Sequence, residues 1–345
     1  MRIAIDAMGG DYAPRAVVLG TELASKTSSS ELILVGPQDV LESELAALAQ
    51  RPSNVTIKNA SGIPPAHESP VLALRKRKDA SILVATRLIK EGTADAVVSA
   101  GSTGIGMVAA RTILRLLPGV ARPAIAALLP NPTGMCLVID VGANVDCRPQ
   151  HLYEFAVMGN IFARQVLNIP SPRVGLVNIG EEEGKGNQFS RAAFEVLAET
   201  NKAAFDFVGN IEGRDIYEGT VDVVVCDGFV GNVILKTSEA LATAVFALLR
   251  RELTADPVSK LGAALSKKAF KRVLKRVDYE EYGGVPILGV DGVFIVCHGS
   301  SGPKAIANAV FEAERCVSHE VNRRIVAALA DRGTASVLAP VAADA

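Results

Sequence analysis

Val221 to Leu241 reads V-D-V-V-V-C-D-G-F-V-G-N-V-I-L-K-T-S-E-A-L, and the fold turns on it. Val221 to Cys226 is a β-branched apolar run of the kind that forms a buried strand. Asp227, Gly228 and Gly231 break it. From Asn232 the apolar residues Val233, Ile234, Ala240, Leu241, Ala244, Val245 and Leu248 follow a helical spacing. Strand, glycine loop and helix make a βα unit. In an open parallel sheet, ligands bind outside the carboxyl end of such a strand. Free N–H groups at the helix start attract an anion. Gly228 and Gly231 would let a ligand approach the backbone. Asn232 offers a neutral amide, and Lys236, one turn on, a positive charge. The plainer alternative is a tight turn built with glycine, so the other strand ends decide.

Working outward, strands and helices alternate along the chain. Helices are expected at Arg15 to Ser25, Val40 to Ala49, Ser81 to Glu91, Met107 to Leu117, His151 to Leu167, Phe189 to Thr200 and Lys304 to Ala328. This alternation predicts a three-layer α/β/α fold with a largely parallel sheet, two lobes around a cleft. The strand ends resemble one another. They are Asp6 to Asp11 (with Gly9 and Gly10), Gly101 to Gly106 (with Ser102, Thr103 and Gly104), Asp140 to Asn144, Gly180 to Asn187 (with Lys185), Gly209 to Arg214 (with Asn210), and Asp227 to Asn232. His298 to Gly302, with Ser300, makes a seventh. Loops of a parallel sheet leave one edge and can converge on one cleft. Gly101 to Gly106 is GxxGxG rather than GxGxxG, and Gly184-Lys185 lacks the rest of a P-loop, so a small anion fits better than a dinucleotide. For Lys185 the alternative is a solvated, salt-bridged loop. For His298 it is a hydrogen-bonded histidine behind a buried strand. For Asp6 and Asp11 it is capping of the first helix.

Composition narrows the classes. The chain has 345 residues, 49% of them hydrophobic, enough for one large domain or two lobes. Residues 1–330 read as that domain. The breakers Pro64, Pro65 and Pro70 mark a loop, Arg75 to Lys78 a solvated basic face, and Asp331 to Ala345 a disordered tail. A net charge of −1 gives no global field for nucleic acid. The five cysteines are scattered, with no CxxC pair and no Cys/His cluster, so no metal site is expected and a reduced, cytoplasmic setting is. Met1 to Asp11 lacks the apolar core of a signal peptide. No apolar run is expected to reach the ~18 residues of a membrane span.

Asp256-Pro257 starts a further helix, running to Val277, as N-cap and first-turn proline. Leu261, Leu265, Phe270, Val273, Leu274 and Val277 supply its apolar residues. Lys267, Lys268, Lys271, Arg272, Lys275 and Arg276 supply its charge, with no acid between Pro257 and Val277. An ordinary amphipathic surface helix, an anionic bilayer contact and an acidic protein partner all fit this pattern.

The motifs in their order resemble the PlsX phosphate acyltransferases. The carrying stretches are D-A-M-G-G-D at Asp6, S-A-G-S-T-G at Ser99, D-V-G-A-N at Asp140, N-I-G-E-E-E-G-K-G-N at Asn178, G-N-I-E-G-R-D at Gly209, C-D-G-F-V-G-N at Cys226 and H-G-S-S at His298. The resemblance runs from Met1 to about Ala328. It implies transfer of a long acyl chain from acyl carrier protein to inorganic phosphate, for phospholipid synthesis. It also implies an isocitrate/isopropylmalate dehydrogenase-like fold, a homodimer, and a cytoplasmic protein held peripherally at an anionic membrane. A downstream glycerol-3-phosphate acyltransferase would be a further partner. Phosphate would be a substrate, and no cofactor is expected. Within that chemistry Ser102, Thr103 and the loop amides are assigned to phosphate. Lys185 is assigned to phosphate orientation or the leaving group, Asn232 to the carbonyl oxygen, and His298 to a reserve acid. Asp6, Gly9, Gly10, Asp11, Gly104, Asn144, Asn210, Gly228, Gly231, Lys236 and Ser300 complete the expected substrate contacts. An acyl-coenzyme A:phosphate transferase of short chains and a non-catalytic scaffold that recruits the carrier remain as alternatives.

Overall fold

The computed structural model describes residues 1–62, 76–200, 204–277 and 279–330. Pro64, Pro65, Pro70, Arg75 and the tail from Asp331 to Ala345 lie outside the described residues. Eleven strands form one sheet. They are β1 (Arg2–Asp6), β2 (Glu31–Gly36), β3 (Val55–Asn59), β4 (Ala96–Ser99), β5 (Ala124–Asn131), β6 (Gly134–Ile139), β7 (Arg173–Val177), β8 (Asp206–Ile211), β9 (Val223–Val225), β10 (Val285–Leu288) and β11 (Val293–Val296). Their order is β3-β2-β1-β4-β11-β10-β5-β6-β9-β7-β8.

Alternate residues of the central strands feed two apolar layers. Ile3 and Ile5 enter one and Ala4 the other; Leu137 and Ile139 enter the first and Cys136 and Val138 the second. Strands buried on both faces read as continuous apolar runs, which is why they were legible. Over the first layer lie α1 (Arg15–Ser25), α2 (Gln38–Ala46), α5 (Pro149–Gln165), α6 (Gln188–Ala198), α10 (Pro303–Ser318) and α11 (Val321–Ala330). Over the second lie α3 (Ser81–Lys90), α4 (Thr103–Ala109), α7 (Gly213–Glu218) and the first turns of α8 (Gly228–Leu253). A five-residue π-helical extension, Ala110–Leu114, continues α4. The helix α9 (Pro257–Val277) packs back along α8.

Three expectations need correction. First, the sheet is largely parallel as expected, but its loops do not all leave from one edge. β3, β2, β1, β4 and β11 run one way, and β6, β9, β7 and β8 run together. Between them β10 is antiparallel to both neighbours, and β5 is antiparallel to β6. The two halves therefore run in opposite senses along the ladder, and the seven loops leave in two groups rather than from one edge. Second, the helix expected from Asn232 starts at Gly228, so Gly231 and Asn232 are helical. Asn210 likewise sits inside β8 rather than in a loop. Third, α8 spans 26 residues and is long and apolar enough to cross a membrane by length and composition. Its first turn is built into the sheet, with Gly228 and Gly231 buried, so we treat it as an arm of the folded body.

Candidate active site

β6 ends at Asp140, whose buried carboxylate turns back into its own loop. It accepts from the backbone N–H groups of Ile125 (3.0 Å), Gly142 (3.2 Å), Ala143 (3.0 Å) and Asn144 (2.7 Å), and from Asn144 Nδ2 (2.9 Å). Burial raises its pKa, while these hydrogen bonds pull it down. Asn144 is buried too, and its Nδ2 also donates to the Pro123 carbonyl at 2.7 Å. The D-V-G-A-N loop thus holds a protein carboxylate where a substrate anion was expected.

The neighbouring strand end closes on it. Gly228 N–H donates to the Asn144 carbonyl at 2.7 Å. A Cβ at Gly231 would lie 1.9 Å from the Asp140 carbonyl oxygen. What these glycines admit is the adjacent loop, not a ligand. Asp227 accepts from Val230 N–H at 2.8 Å and caps α8. The helix start therefore already carries a carboxylate, which corrects the expectation of free N–H groups awaiting an anion. Asn232 stays exposed, its amide lying alongside Gly142. Lys236, one turn on, pairs with Glu239 at 2.8 Å.

The third loop of this half carries Lys185. Asn178 Nδ2 donates to the Lys185 carbonyl (3.2 Å), and Asn210 Nδ2 donates to the Glu182 carbonyl (3.0 Å), fixing the loop from the strands below. Asn210 is buried, so its role here is support. The Lys185 amine, half exposed, stands 3.8 Å from Glu182, a loose pair that leaves it able to turn. Between this loop and the start of α8 opens a cavity of about 490 Å³. Its polar lining comes from Asn178, Asn187, Ser190 and Asp227. Its walls are Leu152 from α5, Leu176 from β7, Phe189 from α6, and Val230 and Ile234 from α8. The Lys185 loop and the Asn232 helix thus share one hollow. Its wall residues escaped the sequence reading because each looks like an ordinary core position. A second, more open hollow of about 430 Å³ at Lys58, Lys78 and Arg87 mixes its cations with Asp79 and Glu91, and lies among other loops.

The other half gathers its own loops. Asp6 is buried and accepts from Ser81 Oγ and Ser99 Oγ, each at 2.6 Å. Burial raises its pKa against those hydrogen bonds. A Cβ at Gly9 would lie 2.6 Å from both Asp6 Oδ2 and Gly101 N. Asp11 N–H donates to the Gly299 carbonyl at 2.8 Å, beside Gly10, and His298 Nδ1 pairs with Ser300 Oγ at 2.7 Å. The loops after β1, β4 and β11 are thereby joined. Ser102, Thr103 and Gly104 are exposed at the start of α4, which no side chain caps. None of Ser102, Lys185 and Asn232 lines the cavity; the Lys185 loop reaches it through Gly186 and Asn187, and the Asn232 helix through Val230 and Ile234. The two groups do share a layer: Ile105 and Met107 of α4 and Val141, Val230 and Ile234 belong to the same apolar cluster.

Nucleophiles of the covalent kind are not prepared. Burial pushes the Cys147 thiol up to about 12 and the Cys226 thiol well above its ordinary value, with Asp140 and Asp227 adding to both shifts. Both stay as thiols near neutral pH. Among the described residues no group of three or more His, Cys, Asp or Glu side chains could hold a metal ion.

Two parallel half-sheets joined through antiparallel strands, with helices on both faces, are an α/β architecture of the isocitrate dehydrogenase-like fold. A phosphotransacetylase from Streptococcus pyogenes superposes with a TM-score of 0.63 at 17% identity, covering 92% of this chain and 94% of that one. The EutD phosphotransacetylase from Staphylococcus aureus gives 0.59 at 16% identity, covering 92% and 94%. At the level of sequence, the fatty acid synthesis protein family model matches residues 1–324. The chain belongs to that family, the PlsX phosphate acyltransferases, and is an enzyme. A phosphate acyltransferase of Moorella thermoacetica is 52% identical over 337 residues, covering 97% of both chains. One of Pelotomaculum thermopropionicum is 48% identical over 321 residues, covering 93% of both.

Proposed function

We propose that the chain transfers a fatty acyl group from the thioester of acyl carrier protein to inorganic phosphate, yielding acyl phosphate and the free thiol for phospholipid synthesis. The observation that carries this is the cavity shared by the Lys185 loop and the Asn232 helix, lined by both apolar and polar side chains. A phosphate oxygen attacks the carbonyl carbon, the carbon–sulfur bond breaks, and the thiolate leaves and takes a proton. Asn232 donates to the carbonyl oxygen as it gains charge, a contribution typically worth a few kcal/mol per donor. Lys185 orients phosphate or offsets the departing thiolate. Ser102 and Thr103, at the uncapped start of α4, form the second place that suits an anion. His298, engaged with Ser300 in the loop group that also carries Ser102, stays a reserve acid. Direct attack fits the protonated state of Cys147 and Cys226. The reaction requires neither metal nor nucleotide.

The carrier is favoured over coenzyme A by α9. An ordinary surface helix buries its apolar residues, yet Leu261 is 63% and Leu265 80% exposed beside Lys267, Lys268 and Lys271. That arm suits an acidic carrier or an anionic bilayer, in a cytoplasmic, peripherally bound homodimer. Loss of thioester absorbance, followed with palmitoyl-carrier and palmitoyl-coenzyme A side by side, tests the reading. Consumption should require phosphate and run faster on the carrier. Phosphate-independent loss would overturn the transfer, and a preference for coenzyme A would favour the short-chain alternative.

A further inference from the structure

The cavity is too large to be a packing defect. Protein interiors contain few voids wider than a water molecule, whereas small-molecule sites run from roughly 300 to 1,000 Å³. At about 490 Å³ this hollow belongs with the second kind. Its chemistry is graded. Leu152, Leu176, Phe189, Val230 and Ile234 give it aliphatic and aromatic surface, with Leu152 and Leu176 the buried members, and Asn187 is an exposed polar side chain on the lining.

We infer that this cavity holds the acyl chain of the donor and gauges its length, an inference that rests on the acyl-transfer reading above. A pantetheine arm carries two amides, and amides placed against these walls would lose their water without finding partners. A hydrocarbon chain needs only apolar contact. With the chain inside, its carbonyl end comes to the rim, where the Lys185 loop and the start of α8 meet. The wall from α8 continues outward. Val230 and Ile234 share their helical face with Leu241, Val245 and Leu248, which are 62%, 51% and 51% exposed. An apolar track therefore runs from the projecting arm to the mouth of the cavity, along the helix that carries Asn232. Val230, Ile234 and Phe189 are half-buried rather than core residues, so they set the free volume without supporting the sheet.

Two experiments on the full chain decide it. The first compares kcat/KM for sixteen-carbon and eight-carbon acyl-carrier donors at saturating phosphate. Each methylene taken from water into an apolar wall changes kcat/KM about fourfold. Ile234→Trp, which fills the cavity, should lower the long-to-short ratio at least tenfold, and Val230→Phe should lower it in the same sense. Phe189→Ala should raise the ratio for chains longer than sixteen carbons. The second experiment needs no variant. A sixteen-carbon acyl-carrier bearing a diazirine at the chain end is irradiated on the wild type, and the adducts are mapped by mass spectrometry. Adducts on the peptides carrying Leu152, Leu176 or Phe189 are expected. An active wild type with an unmoved length ratio in folded variants, or with adducts elsewhere, overturns the cavity assignment alone. A wild type inactive on every acyl donor with phosphate overturns the functional reading and this inference with it.

Discussion

Three aspartates at strand ends, Asp6, Asp140 and Asp227, show how residue type misleads about role. In sequence each stands in a glycine loop expected to face the cleft, and Asp6 is read as a substrate contact. In the structure all three carboxylates face protein donors: the Ser81 and Ser99 hydroxyls, the Gly142 to Asn144 backbone N–H groups, and the Val230 N–H. Burial holds the Asp6 pKa above its ordinary 3.8, so the folded chain binds that proton more tightly than the unfolded chain. The corresponding stability is present at low pH and is lost as pH rises from about 3.8 through the raised folded value. Asp6→Asn should reduce that slope, seen as urea midpoints that fall less steeply with rising pH than in wild type, the remainder coming from Asp140 and Glu312, which burial also raises. A slope unchanged from wild type would locate the titration elsewhere. The exposed polar residues behave otherwise. Lys185→Ala and Asn232→Ala should each lower turnover at least ~100-fold while the variants melt like wild type. Near-normal turnover in either would remove that residue from the mechanism.

At the scale of elements the periodic segments were legible and the punctuation was not. Arg15–Ser25 matches its expected bounds. The start of α8 was missed because Gly228 and Gly231 weigh against a helix by propensity, about 1 kcal/mol each. Close packing of the Asp140 loop overrides that cost, since no larger residue fits. Gly231→Ala should accordingly destabilise the fold by about 1–3 kcal/mol or more, measured by denaturant unfolding, as overpacking does. β10 escaped because four residues with Pro286 among them give no alternation to read. The α8–α9 arm was legible as an amphipathic pattern, but its exposure was not. Making Leu261 and Leu265 polar should lower flotation with anionic liposomes several-fold and leave thermal stability unchanged, because both side chains already face solvent. Unchanged flotation would assign the arm to the carrier protein.

At the scale of the whole molecule the sheet reverses between β11 and β6, and this was invisible in sequence. A βα alternation states that neighbouring strands connect by crossovers; it does not state which way each half of the sheet points. The candidate site is consequently split. Lys185 and Asn232 sit on the loop and the helix that flank the cavity without lining it, while Ser102 and Thr103 belong to loops of the opposite half. If phosphate held at the start of α4 is the phosphate that attacks at the cavity rim, the two groups act on one transition state, within a protomer or across a dimer. Residues that act as a unit give strongly non-additive losses, whereas independent sites more than about 7–10 Å apart add to within about 0.5 kcal/mol. Ser102→Ala should raise KM for phosphate about tenfold, and the Ser102→Ala/Asn232→Ala pair should cost less in kcat/KM than the two single losses combined. Sedimentation of the same proteins at twice the 36.1 kDa chain mass would say that the approach can be made between protomers. Additive losses would show that the α4 terminus and the cavity serve separate events, and the phosphate that attacks would then have to be held by the Lys185 loop alone.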